Sequence, residues 1–186
     1  VDNVNKIEGV KWQCVFVENT PPITTKDVGG PKINCTDLGQ TDCDYYITNQ
    51  TAITLSCIDQ PPHPSGVDNI QYRYRVWNIT KNDWNDWTQW FVYPVDTIYF
   101  PEDSRHELEY YCNDTLGNEE THHHQFYRVD STPPTITKTY TGPYIEGGVE
   151  GDIQFTWVTQ NTNITLTATD PLVDGCAVDN TTCYYK

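Results

Sequence analysis

The sequence has no methionine, no C-x-x-C pair and few basic side chains. It also lacks any run of about 18 apolar residues, so nothing in it reads as a membrane-spanning helix. Lys and Arg number 11 against 26 Asp and Glu, a formal net charge of -15. Nucleic acid and anionic membrane both select a basic face, so neither is expected as a partner. Without C-x-x-C, a zinc ribbon or thioredoxin-type site is disfavoured. No basic segment followed by an apolar stretch opens the chain. The first residue is Val1, so the expectation is a processed protein or a piece of a longer one. Catalytic signatures are missing as well: there is no G-x-S-x-G, no Gly-rich phosphate loop and no H-E-x-x-H. Carboxylates are so numerous that no single pair argues for glycoside hydrolysis. The expectation is a protein that is not an enzyme, with no cofactor.

What is present favours β structure. The 186 residues are enough for one to two domains with a real core. Thirteen Tyr and 6 Trp, with many Thr, Val and Ile, suit half-buried pleated strands. Twelve Pro and 11 Gly interrupt the chain at short intervals, and no long segment shows helical periodicity. Alternation is clear instead. From Gln71 to Trp77, Tyr72, Tyr74 and Val76 share one side, and Arg73 and Arg75 the other. Thr51 to Cys57 places Ala52 or Ile53, Leu55 and Cys57 near the core. His106 to Cys112 and His124 to Val129 are further candidate strands. Short strands separated by turn signals predict a sandwich.

Seven cysteines point to an oxidising compartment. Cys57 lies in an early strand and Cys112 in a late one, where a disulfide across a sandwich core would join them. Cys35 with Cys43, and Cys176 with Cys183, each flank a loop they would staple. Cys14 is then left over, as a buried thiol, a thiol with a partner outside this sequence, or an intermolecular bridge. Asn-x-Thr occurs at Asn34, Asn49, Asn78, Asn113, Asn163 and Asn180. Chance would give about two such sites at this composition. The excess predicts exposed N-glycan acceptors on an extracellular protein.

The chain also repeats itself. Glu18-Asn19-Thr20-Pro21-Pro22 recurs 112 residues on as Asp130-Ser131-Thr132-Pro133-Pro134. Ile47 to Leu55 recurs 111 residues on as Val158 to Leu166, and Val67-Asp68-Asn69 as Val178-Asp179-Asn180. Gln13 to Val17 resembles Gln125 to Val129. The boundaries that follow are 1–17 as the last strand of a preceding repeat, 18–131 as a complete domain, and 132–186 as the first half of a further repeat. The prolines stiffen the junctions and block strand continuation.

Taken together, these motifs resemble the Ig-like β-sandwich repeats of large archaeal and bacterial cell-surface proteins. The matching elements are the Thr-Pro-Pro junction, the Ile-Thr-Leu strand, Gly66-Val67, Tyr72 to Trp77, Trp84 and Trp87. His106 to Tyr111 and Asp114-Thr115-Leu116-Gly117-Asn118-Glu119 complete the set. The resemblance implies tandem, disulfide-stapled Ig-like domains, all-β, outside the cell. It implies a structural role in a stalk or filament, with further repeats or other copies of the chain as partners, joined either through a longer parent chain or by strand addition between copies. Such repeats also serve as adhesins, so an adhesin or carbohydrate-binding module is the second expectation.

Three groups are candidate sites. Trp84, Trp87 and Trp90, three residues apart among polar neighbours, form either a sugar-stacking platform or a hairpin packed on the sheet. His122-His123-His124 suggests a metal, but on a strand His123 points away from the other two, so no metal site is expected. Glu18, Asp59, Asp114, Glu119, Asp130 and Asp170 lie near the junctions. They are either calcium ligands, which must number six to eight oxygens, or turn-forming carboxylates.

Overall fold

The computed structural model describes residues 9–93, 97–151 and 153–171, and these form an all-β structure with two disulfides. Cys176, Cys183 and Asn180 lie outside the described residues.

Strand β1 (Ile23–Val28) pairs antiparallel with β4 (Ile53–Ile58). The Thr51 to Cys57 alternation works as expected: Ile53 and Leu55 are buried, while Thr54 and Ser56 face water. A larger sheet runs in the order β2 (Lys32–Asn34), β3 (Tyr45–Ile47), β9 (His123–Val129), β8 (Arg105–Asp114), β5 (Val67–Asn78), β6 (Asp83–Trp84). Strand β7 (Phe91–Val92) also pairs with β5. All these pairings are antiparallel except β3 with β9, which is parallel. Between β2 and β3 the chain makes a 3-10 turn, Cys35–Leu38. It ends at Gly39, whose φ of 72° is a left-handed conformation that a side chain would strain. The Cys35–Cys43 disulfide closes this loop, with Cα atoms 5.8 Å apart.

The core lies between the β1–β4 ladder and the larger sheet. Val28, Ile53 and Leu55 meet Ile47, Leu108, Tyr110, Tyr127 and Val129, with Ile98 and Phe100 filling between. Each fully buried Leu, Ile or Phe side chain is worth about 1.5–3 kcal/mol. Tyr72 and Tyr74 pack against this cluster. Arg73 and Arg75 take the other face of β5, as strand alternation requires. The Cys57–Cys112 disulfide ties β4 to β8, with Cα atoms 6.5 Å apart.

After the second Thr-Pro-Pro the pairing recurs. Strand β10 (Thr135–Thr141) pairs with β13 (Asn163–Thr169), and β11 (Tyr144–Glu150) with β12 (Ile153–Val158). The registers are those of the first set, moved by the sequence offsets. Ile23 opposite Ile58 becomes Thr135 opposite Thr169, and Lys32 opposite Ile47 becomes Tyr144 opposite Val158. The connecting turn is reproduced as well. Thr48 N–H donates to the Thr51 hydroxyl at 3.0 Å, and Thr159 N–H to the Thr162 hydroxyl at 2.9 Å. Those hydroxyls donate in turn to the carbonyls of Pro31 and Pro143. The offset drops from 112 to 111 inside the segment where the first set carries its disulfide loop and the second the tip of β11–β12.

Candidate functional site

The outer face of β5, β8 and β9 carries a layer of charge under a lid of tryptophan. Glu107 and Glu109 project outward from β8 yet are buried. Opposite them on β5 stand Arg75 and Arg73, as the register dictates. Arg73 Nε donates to Glu109 at 2.6 Å, and Arg75 Nη2 to Glu107 at 2.6 Å. On the other side His122 Nδ1 lies 2.6 Å from Glu109 and His124 Nδ1 lies 2.9 Å from Glu107. Burial pushes the Glu109 carboxyl up, but the bonds from Arg73 and His122 outweigh it and hold the pKa below the usual range.

The lid is the segment after β6. Asn85 N–H donates to Val76 O at 2.9 Å and Thr88 N–H to Tyr74 O at 3.0 Å. One backbone bond per three residues presents every third side chain alike, as an extended three-residue turn does. Trp84, Trp87 and Trp90 therefore all face the sheet. The Arg73 guanidinium lies 4.7 Å from the Trp87 ring and 4.5 Å from Trp90. That of Arg75 lies 5.0 Å from Trp84 and 4.7 Å from Trp87. Trp87 is thus flanked by two cations, and its ring is occupied within the fold. Of the two sequence expectations for this loop, the geometry is that of the packed hairpin.

The three histidines do not converge. His122 and His124 join the charge layer, and His122 stacks on Tyr111 with ring centroids 4.2 Å apart. His123 points to the other face, stacks on Tyr110 and reaches Glu120 at 3.3 Å. Glu120 is itself an internal clamp, accepting the N–H groups of Thr24 at 3.0 Å and Cys112 at 2.9 Å.

Of the acidic residues singled out, Glu18, Asp59 and Asp114 come together, each offering an oxygen within 4.8 Å of the others. All three already accept protein donors. Asp114 takes the N–H groups of Leu116 and Asn118 and the Asn118 amide, Asp59 those of Gln60 and Gly66, and Glu18 the Ser65 hydroxyl. Burial raises the Asp114 pKa, but those bonds outweigh it and hold the group well below the carboxylate range. These bonds pin the segment before β1 to two loops. Glu119 instead reaches His122 at 3.2 Å, and Asp130 accepts Thr132 N–H at 3.2 Å. Asp170 is partly buried.

Asn34, Asn49 and Asn163 are exposed, while Asn78 and Asn113 are partly buried. The Asn78 amide donates to Asn85 at 3.2 Å, and that of Asn113 to Asp68 at 3.3 Å. Cys14 is a free, exposed thiol.

A second surface is apolar and exposed. Ile164 and Leu166 are exposed where their counterparts Ile53 and Leu55 are buried, and Trp157 is exposed where Tyr46 is buried. Val10, Trp12, Val15, Phe16 and Val17, ahead of β1, are exposed as well and belong to no strand. Comparison of the chain with protein-family models, with curated proteins and with solved structures gives no match.

Proposed function

We propose that the chain is a structural element of an extracellular stalk or filament made of tandem Ig-like β-sandwich domains, decorated with N-glycans. The observation that carries the reading is the recurrence of β1–β4 and β2–β3, residue for residue, as β10–β13 and β11–β12. A register reproduced at two places in one chain is what serial sandwich units require. Two disulfides suit a non-reducing setting. The exposure of Asn34, Asn49 and Asn163 suits glycosylation. The role is mechanical: rigid units, stiff Thr-Pro-Pro junctions, and an acidic, hydrated surface that resists lateral collapse. Partners are further repeats of the chain or other copies of it.

The test is native material examined by intact mass and electron microscopy. Elongated particles and a mass well above the bare 21.4 kDa chain are expected. Compact particles of bare mass would overturn the reading. The competing role, a glycan-binding module using Trp84 to Trp90, needs a free indole face, and Arg73 and Arg75 occupy that of Trp87. Saturable binding on a glycan array, lost in Trp87→Ala, would revive it.

A further inference from the structure

The charge layer on the outer face continues one rung past Glu107, and there its alternation fails. Glu109 has a basic side chain on either side, Arg73 and His122, and Glu107 has Arg75 and His124. On the next rung Trp77 stands on β5, Arg105 on β8 and Arg128 on β9, with Arg105 directly opposite Arg128. Like charges directly opposite on paired strands repel, so this rung calls for an anion. Asp42 answers only in part: it lies 2.6 Å from Arg128 Nη2 but 3.8 Å from Arg105 Nη1, and it is 49% exposed.

Arg105 is left short of acceptors. Its Nε is buried without a hydrogen-bond partner among the described residues, and its guanidinium lies over the Trp77 ring at 5.4 Å. A buried donor without an acceptor costs stability, and such a group marks a place for a water, an ion or a ligand. Arg105, Arg128 and Asp42 line a cavity of about 210 Å³, whose apolar wall is formed by Trp77, Trp84 and Phe126. The cavity lies within the first set of ladders, between Asp42 and Arg128, and is independent of the stalk reading.

We infer that this cavity binds one acidic sugar residue, a hexuronate, through its carboxylate. The two guanidiniums and the one carboxylate of its wall leave a single positive charge, which a monoanion balances. The ligand's carboxylate sits between Arg105 and Arg128, whose planar forks present paired donors. Trp77, Trp84 and Phe126 give the ring an apolar face to lie against, and Asp42 accepts from its hydroxyls. The cavity is smaller than a drug-sized site, so it takes one ring. The chain as a whole carries a net charge of -15, so the anion is held by contact and not by long-range attraction. Trp87 does not line this cavity, which therefore differs from a platform on the Trp87 ring.

The test is sodium glucuronate titrated into the 186-residue chain, followed by tryptophan fluorescence and calorimetry. Trp77 and Trp84 line the cavity, so emission should change saturably, with single-site stoichiometry. Arg105→Gln should weaken binding at least ~10-fold, because it removes charge-assisted bonds to the carboxylate. Arg105→Lys keeps the charge but not the fork, and should weaken binding by less. Neither substitution should lower the melting temperature, because the Arg105 Nε donor has no acceptor in the fold. Absence of saturable glucuronate binding overturns the inference. So does glucose, acetate, benzoate or inorganic phosphate binding as tightly as glucuronate. Undiminished affinity in Arg105→Gln, or a lowered melting temperature in both variants, overturns it as well, since the guanidinium would then serve the fold alone.

Discussion

Glu109→Leu tests the buried charge layer most directly. The carboxylate is 5% exposed and holds Arg73 at 2.6 Å and His122 at 2.6 Å. Removing it leaves a guanidinium between Trp87 and Trp90 without its anion. A fully buried unpaired charge costs about 3–5 kcal/mol. Arg73 is 29% exposed, so water recovers part of that, and a loss of about 2–3 kcal/mol is expected. Glu119→Gln is the control. Glu119 reaches the same His122 at 3.2 Å but is 53% exposed, so its loss should stay below about 1 kcal/mol. The assay is denaturant unfolding followed by tryptophan fluorescence, repeated across pH. The Glu109 pKa is lower in the fold than in the unfolded chain. The unfolded state therefore binds more protons as pH falls below the ordinary carboxylate pKa of about 4.3, and the stability Glu109 provides is lost there. The gap between the unaltered protein and Glu109→Leu should be full at pH 6 and shrink towards pH 3. A gap under about 0.5 kcal/mol at pH 6, or one of equal size at pH 3, would refute the reasoning.

Three further outcomes follow. Replacing Cys57 and Cys112 together by Ala opens a loop with a sequence separation of 55, against 8 for Cys35 and Cys43. Unfolding midpoints should show a loss of about 4 kcal/mol for the first pair and about 2.5 for the second, and equal losses would contradict the chain-entropy account. Burial lowers the Lys26 pKa to about 8, with Asp44 opposing and Lys32 reinforcing the shift. The unfolded chain then binds more protons between about pH 8 and 10, so stability should rise there and Lys26→Met should flatten the rise, as read from melting temperature against pH. Above about pH 10 the trend should reverse, because burial raises the pKa of Tyr127 and Tyr110. Amide hydrogen exchange should be slowest in β8, paired on both sides, and fastest in β10–β13; slow exchange in β10–β13 of the isolated chain would show that the ladder is stabilised without a partner.

Much of this architecture was legible because it rests on local pattern. The two-residue period around Tyr72 to Trp77 put the arginines opposite the tyrosines, and the Thr-Pro-Pro repeat located two equivalent ladders. Other features were silent for physical reasons. Strand β3 has three residues, too few to show a period, and nothing local announces that it runs parallel to β9. Glu107 and Glu109 alternate with His106, Leu108 and Tyr110 along β8, and nothing in that local pattern marks them as buried. Their burial depends on the Trp84 to Trp90 segment folding back along β5, a contact with no local signal. A three-residue tryptophan spacing matches neither the strand period nor the helix period. The carboxylates of Glu18, Asp59 and Asp114 meet only because three loops do, at separations no motif records.

The two sets of ladders separate what a strand encodes from what its surroundings provide. Ile53 and Ile164 occupy one register position, as do Leu55 and Leu166, and the strands pair alike. One pair is buried and the other is not. The difference therefore does not lie within the ladders; it lies in β8 and β9, which cover the first set and have no described counterpart over the second. Isolated two-stranded ladders are marginal in water. Apolar positions on β12 and β13 are held in register but exposed among the described residues, so the β10–β13 and β11–β12 ladders should open at lower denaturant than the β1–β4 ladder, which β8 and β9 cover.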